Sequence, residues 1–177
     1  MATDLLNLYR QASDWTISKV RNVTDLDAPT PCTDWSVREL LSHMLDTQRY
    51  FTSAARGEDA SPPSPTPPPL DTPDPESAFS TGQSELLAAF GAEGVIDKTG
   101  PSLGIAFADQ LLHGWDVARA TDQDATMPDG LAEAAYKSIH GRFTDDQRKG
   151  VFGPELTVAD DATPQQRLLA YTGRDPS

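Results

Sequence analysis

Between Gly57 and Pro75 the chain reads GEDASPPSPTPPPLDTPDP, a stretch that holds eight of its 15 prolines. Proline has no backbone N–H to give to a helix or a strand ladder, so this many together exclude both elements. The segment is expected to be an extended, polyproline-rich surface loop. A lid, or a ligand for a proline-binding partner, is the functional reading. Nothing else in the stretch marks recognition, and a long solvated connection is the simpler account. The ordered part of the molecule must be assembled from the segments on either side.

Those flanks carry helical periods. Leu5, Leu8, Ala12, Trp15 and Val23 recur near helical spacing across residues 4–23. After the turn-rich APTPCTDW (28–35), Ser36 and Glu39 form a capping-box pattern, with Trp35 and Leu40 placed as a hydrophobic staple. The helix begun there runs through VRELLSHMLDTQRYFTSAAR on an apolar stripe of Val37, Leu40, Leu41, Met44, Leu45 and Phe51, and Gly57 is its expected stop. A third helix is expected over Glu76–Phe90, followed by an irregular link, GAEGVIDKTGP. A fourth runs from Ser102, read as its N-cap, to Ala120, and a shorter one covers Gly130 to Phe143. The tail starts extended, then places Thr163 as N-cap, Pro164 at the first helical position and Gly173 just past the end. No segment alternates with a β period for long enough to build a sheet. These elements predict an all-α bundle of four main helices, a short fifth and a C-terminal turn of helix, with residues 1–177 forming one domain.

Charge narrows the partners. A net charge of −13 and a pI near 4.4 repel phosphate backbones and anionic lipid, so neither nucleic acid nor membrane is expected. The start, MATDLLNLYRQASDW, lacks the basic and apolar regions of a signal peptide, and no apolar run approaches spanning length, which predicts a soluble, cytoplasmic protein. Cys32, the sole cysteine, excludes an internal disulfide and any multi-cysteine zinc site. A metal site here would be built from His, Asp and Glu.

One stretch supplies such residues at a telling interval. In DQLLHGWDVARATD (109–122), Asp109, His113 and Asp116 recur four and three residues apart, on one helical face. His43 lies beside the apolar stripe of the second helix. Two ligands at i and i+4 plus a histidine from a neighbouring helix make a three-ligand site whose remaining position is open to water or substrate. On the residues alone the plainer account stays open: a histidine beside an apolar face as a hydrogen-bonded boundary residue, and Asp109 as a surface charge. His140, in KSIHGRF, reads as a surface residue near the last carbonyls of its helix.

Taken in order, TPCTDWSVRELLSHM (30–44), FADQLLHGWDVARATD (107–122) and RLLAYTGRDP (167–176) resemble the mycothiol-dependent, maleylpyruvate-isomerase-like branch of the DinB-like superfamily. The resemblance implies an up-and-down four-helix bundle carrying a divalent metal. It implies His43 as a ligand from the second helix, and Asp109 and His113 as an acid–x–x–x–histidine pair from a later one. The isomerase itself usually has glutamate where this chain has Asp109, and carries an additional C-terminal domain. Zinc is the natural occupant of such nitrogen and oxygen ligands, with nickel or iron as alternatives. Such a cation lowers the pKa of a bound water or thiol and polarises a carbonyl. The resemblance also implies mycothiol as cosubstrate and a small electrophile as its partner, attacked by S-transfer or isomerised, and family analogy allows a homodimer. A thiol-independent metalloenzyme of specialised metabolism and a non-catalytic metal-binding module are the alternatives.

Supporting roles follow. Asp116 is placed to accept the second ring N–H of His113 and fix its tautomer, or else to pair with Arg119 at i+3. Arg119 is the candidate cosubstrate-binding residue, and Arg174 shares that chemistry. Surface salt bridging is the simpler account of both. Trp115 is read as core, and Cys32 as a small packing residue rather than a nucleophile.

Overall fold

The structure, a computed structural model, describes residues 2–32 and 34–177, without the side chains of residues 2 and 3. Its described residues form helices α1 (Ala2–Arg21), α2 (Val37–Arg56), α3 (Pro75–Gly91), α4 (Val95–Thr99), α5 (Ser102–Ala120), α6 (Leu131–Ile139), α7 (Asp145–Lys149) and α8 (Pro164–Tyr171), with no strand among them. The chain is all-α, as its periodicity predicts. None of these helices is long and apolar enough to cross a membrane.

Local chemistry sets the helix ends. At α2 the Ser36 hydroxyl accepts from the Glu39 N–H and the Glu39 carboxylate accepts from the Ser36 N–H, while Gly57 closes the helix at φ +74°. Thr163 and Gln166 form the same box at α8. The fourth predicted helix starts differently. Ser102 is its first residue rather than its cap, and its hydroxyl donates back to the Thr99 carbonyl of α4. That short α4 occupies the link read as irregular. The helix predicted to reach Phe143 ends at Ile139, because His140 is extended and Gly141 turns left-handed at φ +70°. A Thr144–Gln147 capping box starts α7, a signal present in the sequence.

Contacts along the four long helices fix their directions. Lys19 meets Gln123 and Thr16 meets the carbonyl of Gln110, so α1 and α5 run parallel. Arg21 pairs with Glu76 and Gln83 with Asp14, so α3 opposes α1. Cys32 approaches Asp116 while His43 approaches Asp109, so α2 opposes α5. The order is up, down, down, up: the bundle is as expected, but its simple up-and-down alternation is corrected, because α2 and α3 run parallel. Two parallel helices adjacent in the chain need a long return path, and the proline-rich segment 57–75 provides it. It carries no helix until Pro75 and is anchored where Pro68 accepts from the Ser42 hydroxyl at 2.6 Å.

Apolar side chains bury in two clusters. One joins Phe51, Leu86, Phe90, Phe107 and Leu111 to α6 and α8, and the other gathers Ile17, Leu40, Leu41, Met44, Phe79 and Val117. Ser13, Gln48, Gln110, His113 and Asp116 are buried but polar, and they belong to neither cluster. Burying such groups is costly unless they are partnered, so their presence marks a place where packing yields to another requirement.

Candidate functional site

α5 presents Asp109, His113 and Asp116 on one face, and α2, running the other way, brings His43 against it. The rings of His43 and His113 are 5.1 Å apart, edge to face. One potential ligand atom from each of His43, Asp109 and His113 lies within 4.8 Å of the other two. Nε2 of His113 is 3.5 Å from Oδ1 of Asp109, and its Nδ1 is 2.9 Å from Oδ2 of Asp116. The row therefore splits in function: Asp116 takes one nitrogen of the imidazole, and the other faces Asp109. Trp35, read as half of a staple, lays its ring 4.6 Å from that of His43.

The donor set suits a divalent cation. Nδ1 of His43 is buried with no hydrogen-bond partner, and its Nε2 has only a 3.5 Å approach to Thr47 Oγ1, so neither nitrogen is committed elsewhere. An unpartnered buried imidazole nitrogen beside a carboxylate and a second imidazole has the chemistry a divalent cation would need. A second convergence, Cys32 with His113 and Asp116, also exists. There the carboxylate already holds a guanidinium, which disfavours another cation.

Electrostatics separate the two histidines. Burial, then the charge of His113, pushes the His43 imidazole down to about 4. Burial also works against charging His113, yet the carboxylates of Asp109 and Asp116 outweigh it and hold the ring well above its ordinary value. Burial alone would raise Asp116, but Arg174 and His113 more than offset that and keep its carboxyl well below the usual range.

Arg174 is the residue that sequence reasoning misplaced. Its Nη2 sits 2.7 Å from Asp116 Oδ2 and its Nε 2.9 Å from Oδ1, with side chains only 12% and 0% exposed, so the pair is interior rather than a surface salt bridge. The ending RLLAYTGRDP signals a glycine turn past a helix end, but not where the side chain after it points. Asp116 accordingly pairs with His113 and Arg174, and not with Arg119. Arg119 stands apart: it is exposed, lies over the Trp115 ring and donates to the Ser177 carbonyl. Trp115 is core, as read. Cys32 is half-buried, and its Sγ lies 3.1 Å from Asp116 Oδ2, closer to the polar network than a packing residue would be. His140 is exposed and stacks on Tyr136 at the end of α6.

An all-α chain whose second and fourth long helices bring two imidazoles and a carboxylate together is a helical bundle with a polar site between helices, the architecture that houses metal centres in bundle proteins. The chain belongs to the mycothiol maleylpyruvate isomerase N-terminal domain family, which matches residues 9–121. That membership points to a mycothiol-related function. Similar chains include two uncharacterized proteins of Mycobacterium tuberculosis, from strains CDC 1551 / Oshkosh and ATCC 25618 / H37Rv. Each is 27% identical over 183 residues, covering 97% of this chain and 98% of the relative. No solved structure matches.

Proposed function

We propose that this protein is a divalent-metal-dependent enzyme that brings a low-molecular-weight thiol of the mycothiol type to a small electrophile, by S-transfer or isomerisation. The observation that supports it is the convergence of His43, Asp109 and His113, with one nitrogen of His113 already taken by Asp116 and Nδ1 of His43 left without a partner. In this reading those three residues hold the cation, and zinc suits two imidazoles and a carboxylate best, with nickel or iron as substitutes. A cation bound there would lower the pKa of a thiol and polarise a neighbouring carbonyl. The chain's part is preparation. Asp116 holds the Nδ1–H of His113 and so leaves the Nε2 lone pair for coordination. The Trp35 ring packs against that of His43.

Metal analysis of the purified protein, followed by turnover of a chlorodinitrobenzene with and without added thiol, tests the reading. Cation-dependent conjugation is expected. Thiol-independent conversion of another substrate would favour a different metalloenzyme. A stoichiometric cation without turnover across a broad panel would favour a carrier.

Proton release gives a sharper check. Above about pH 5 His43 is neutral, because its folded value lies near 4, and Asp109 is ionised, because its value is lowered. His113, raised well above its ordinary value, is the one ligand that must lose a proton. Cation uptake should therefore release one proton, and affinity should rise about tenfold per pH unit until His113 deprotonates unaided. Titration calorimetry in buffers of different ionisation heat measures this number. Release of two protons would show that His43 is charged in the free protein.

A further inference from the structure

The end of the chain reaches into the site. After α8, Gly173 turns left-handed at φ +79° and the Arg174 N–H returns to the Leu169 carbonyl at 2.9 Å. The turn is braced by residues 153–156, where Gly153 donates to the Thr172 carbonyl and Leu156 to that of Ala170. Gly153 and Gly173 cross so closely that a Cβ on Gly173 would lie 2.6 Å from the Gly153 backbone. Two glycines thus permit a crossing that sends Arg174 inward instead of into solvent.

There its guanidinium grips Asp116 with two nitrogens, on both carboxylate oxygens. Oδ2 of that carboxylate also receives Nδ1 of His113 at 2.9 Å and Sγ of Cys32 at 3.1 Å. A carboxylate held at one oxygen can still rotate, whereas the planar fork of an arginine fixes both oxygens and the plane between them. A fully buried carboxylate also needs a countercharge, and the Arg174 guanidinium faces it at 2.7 Å alongside His113. We infer that Arg174 is a positioning residue: acting through Asp116, it holds the His113 ring with Nδ1–H on the carboxylate and Nε2 toward His43 and Asp109. What the ring is held for rests on the proposed function, but the positioning itself does not.

Two measurements separate this role from general stability. In the metal-free protein, the proton of His113 Nδ1–H bonded to Asp116 should give a slowly exchanging, far-downfield nuclear magnetic resonance signal. That signal should vanish in Arg174→Met and survive, shifted, in Arg174→Lys, which keeps the charge without the fork. Competition with a chromophoric chelator should show Zn(II) affinity falling about 10- to 100-fold in Arg174→Met, the range for losing an outer partner of a ligand, with partial recovery in Arg174→Lys. In an Asp116→Asn background, Arg174→Met should cost no further affinity.

An unchanged His113 signal in Arg174→Met overturns the inference, as does a loss that adds fully to that of Asp116→Asn. Should Arg174→Met fail to fold, Arg174→Lys decides, since an unshifted signal there means the fork positions nothing. Absence of cation binding by the wild-type protein would sink the proposed function alone, because the metal-free signal still tests Arg174.

Discussion

Replacing His113 with alanine should remove stoichiometric binding of a divalent cation, weakening it at least ~100-fold. The magnitude follows from a cation whose total binding free energy is on the order of 10 kcal/mol and is shared among three protein ligands, so losing one forfeits several kcal/mol. His113 is also the hinge of the polar network. Its two nitrogens address Asp109 and Asp116. The metal-free variant should therefore lose stability as well, by about 1–3 kcal/mol, as the buried carboxylate of Asp116 loses one of its donors. Its other partners, Arg174 and Cys32, keep the loss from being larger. Metal content after dialysis and chemical denaturation measure the two effects. His140→Ala is the comparison: that ring is exposed against Tyr136, and its removal should leave metal content unchanged. Full metal content in His113→Ala would refute the ligand assignment.

Replacing Gly173 with alanine should be the most damaging small substitution in the tail. The residue sits at φ +79°, where a Cβ costs about 1 kcal/mol. That Cβ would also lie 2.6 Å from the backbone of Gly153, and backbone cannot swing aside as a side-chain tip does. Overpacking of this kind costs about 1–3 kcal/mol, so a total near 3 kcal/mol, or a fall of about 6–12 °C in melting temperature, is expected. Gly82 makes the contrast. A Cβ there would meet the Oε1 tip of Gln48, a flexible group, and Gly82→Ala should cost far less. Because Arg174 follows Gly173 directly, Gly173→Ala should also weaken Zn(II) binding without altering any polar side chain. A melting temperature within two degrees or so of wild type would mean the crossing carries no such constraint.

Much of this was legible in the sequence, and for local reasons. Ser36 with Glu39, Thr163 with Pro164, and Gly57 after an amphipathic stripe are signals confined to one turn of chain, and each appears as written. The same locality explains the misses. Ser102 resembles an N-cap in isolation, but α4 ends immediately before it and offers its hydroxyl the Thr99 carbonyl instead. Arg174 resembles a surface charge in isolation, and nothing near it in sequence shows that it meets a carboxylate 58 residues away. Cys32 resembles a small packing residue when read from its turn alone, whereas its contacts come from α5 and the tail.

The directions of the helices fall between these cases. A proline-rich span with no helix between Gly57 and Pro75 permits two consecutive helices to run parallel but does not require it. The sequence alone determined which segments coil, where they start and stop, and which of their faces are apolar, because those properties arise from interactions within a few residues. Only the tertiary structure decided that α2 lies against α5 with His43 opposite His113, and that Gly153 and Gly173 cross so that Arg174 points inward. Those outcomes depend on how whole surfaces pack, and packing couples residues that have no local means of sensing one another.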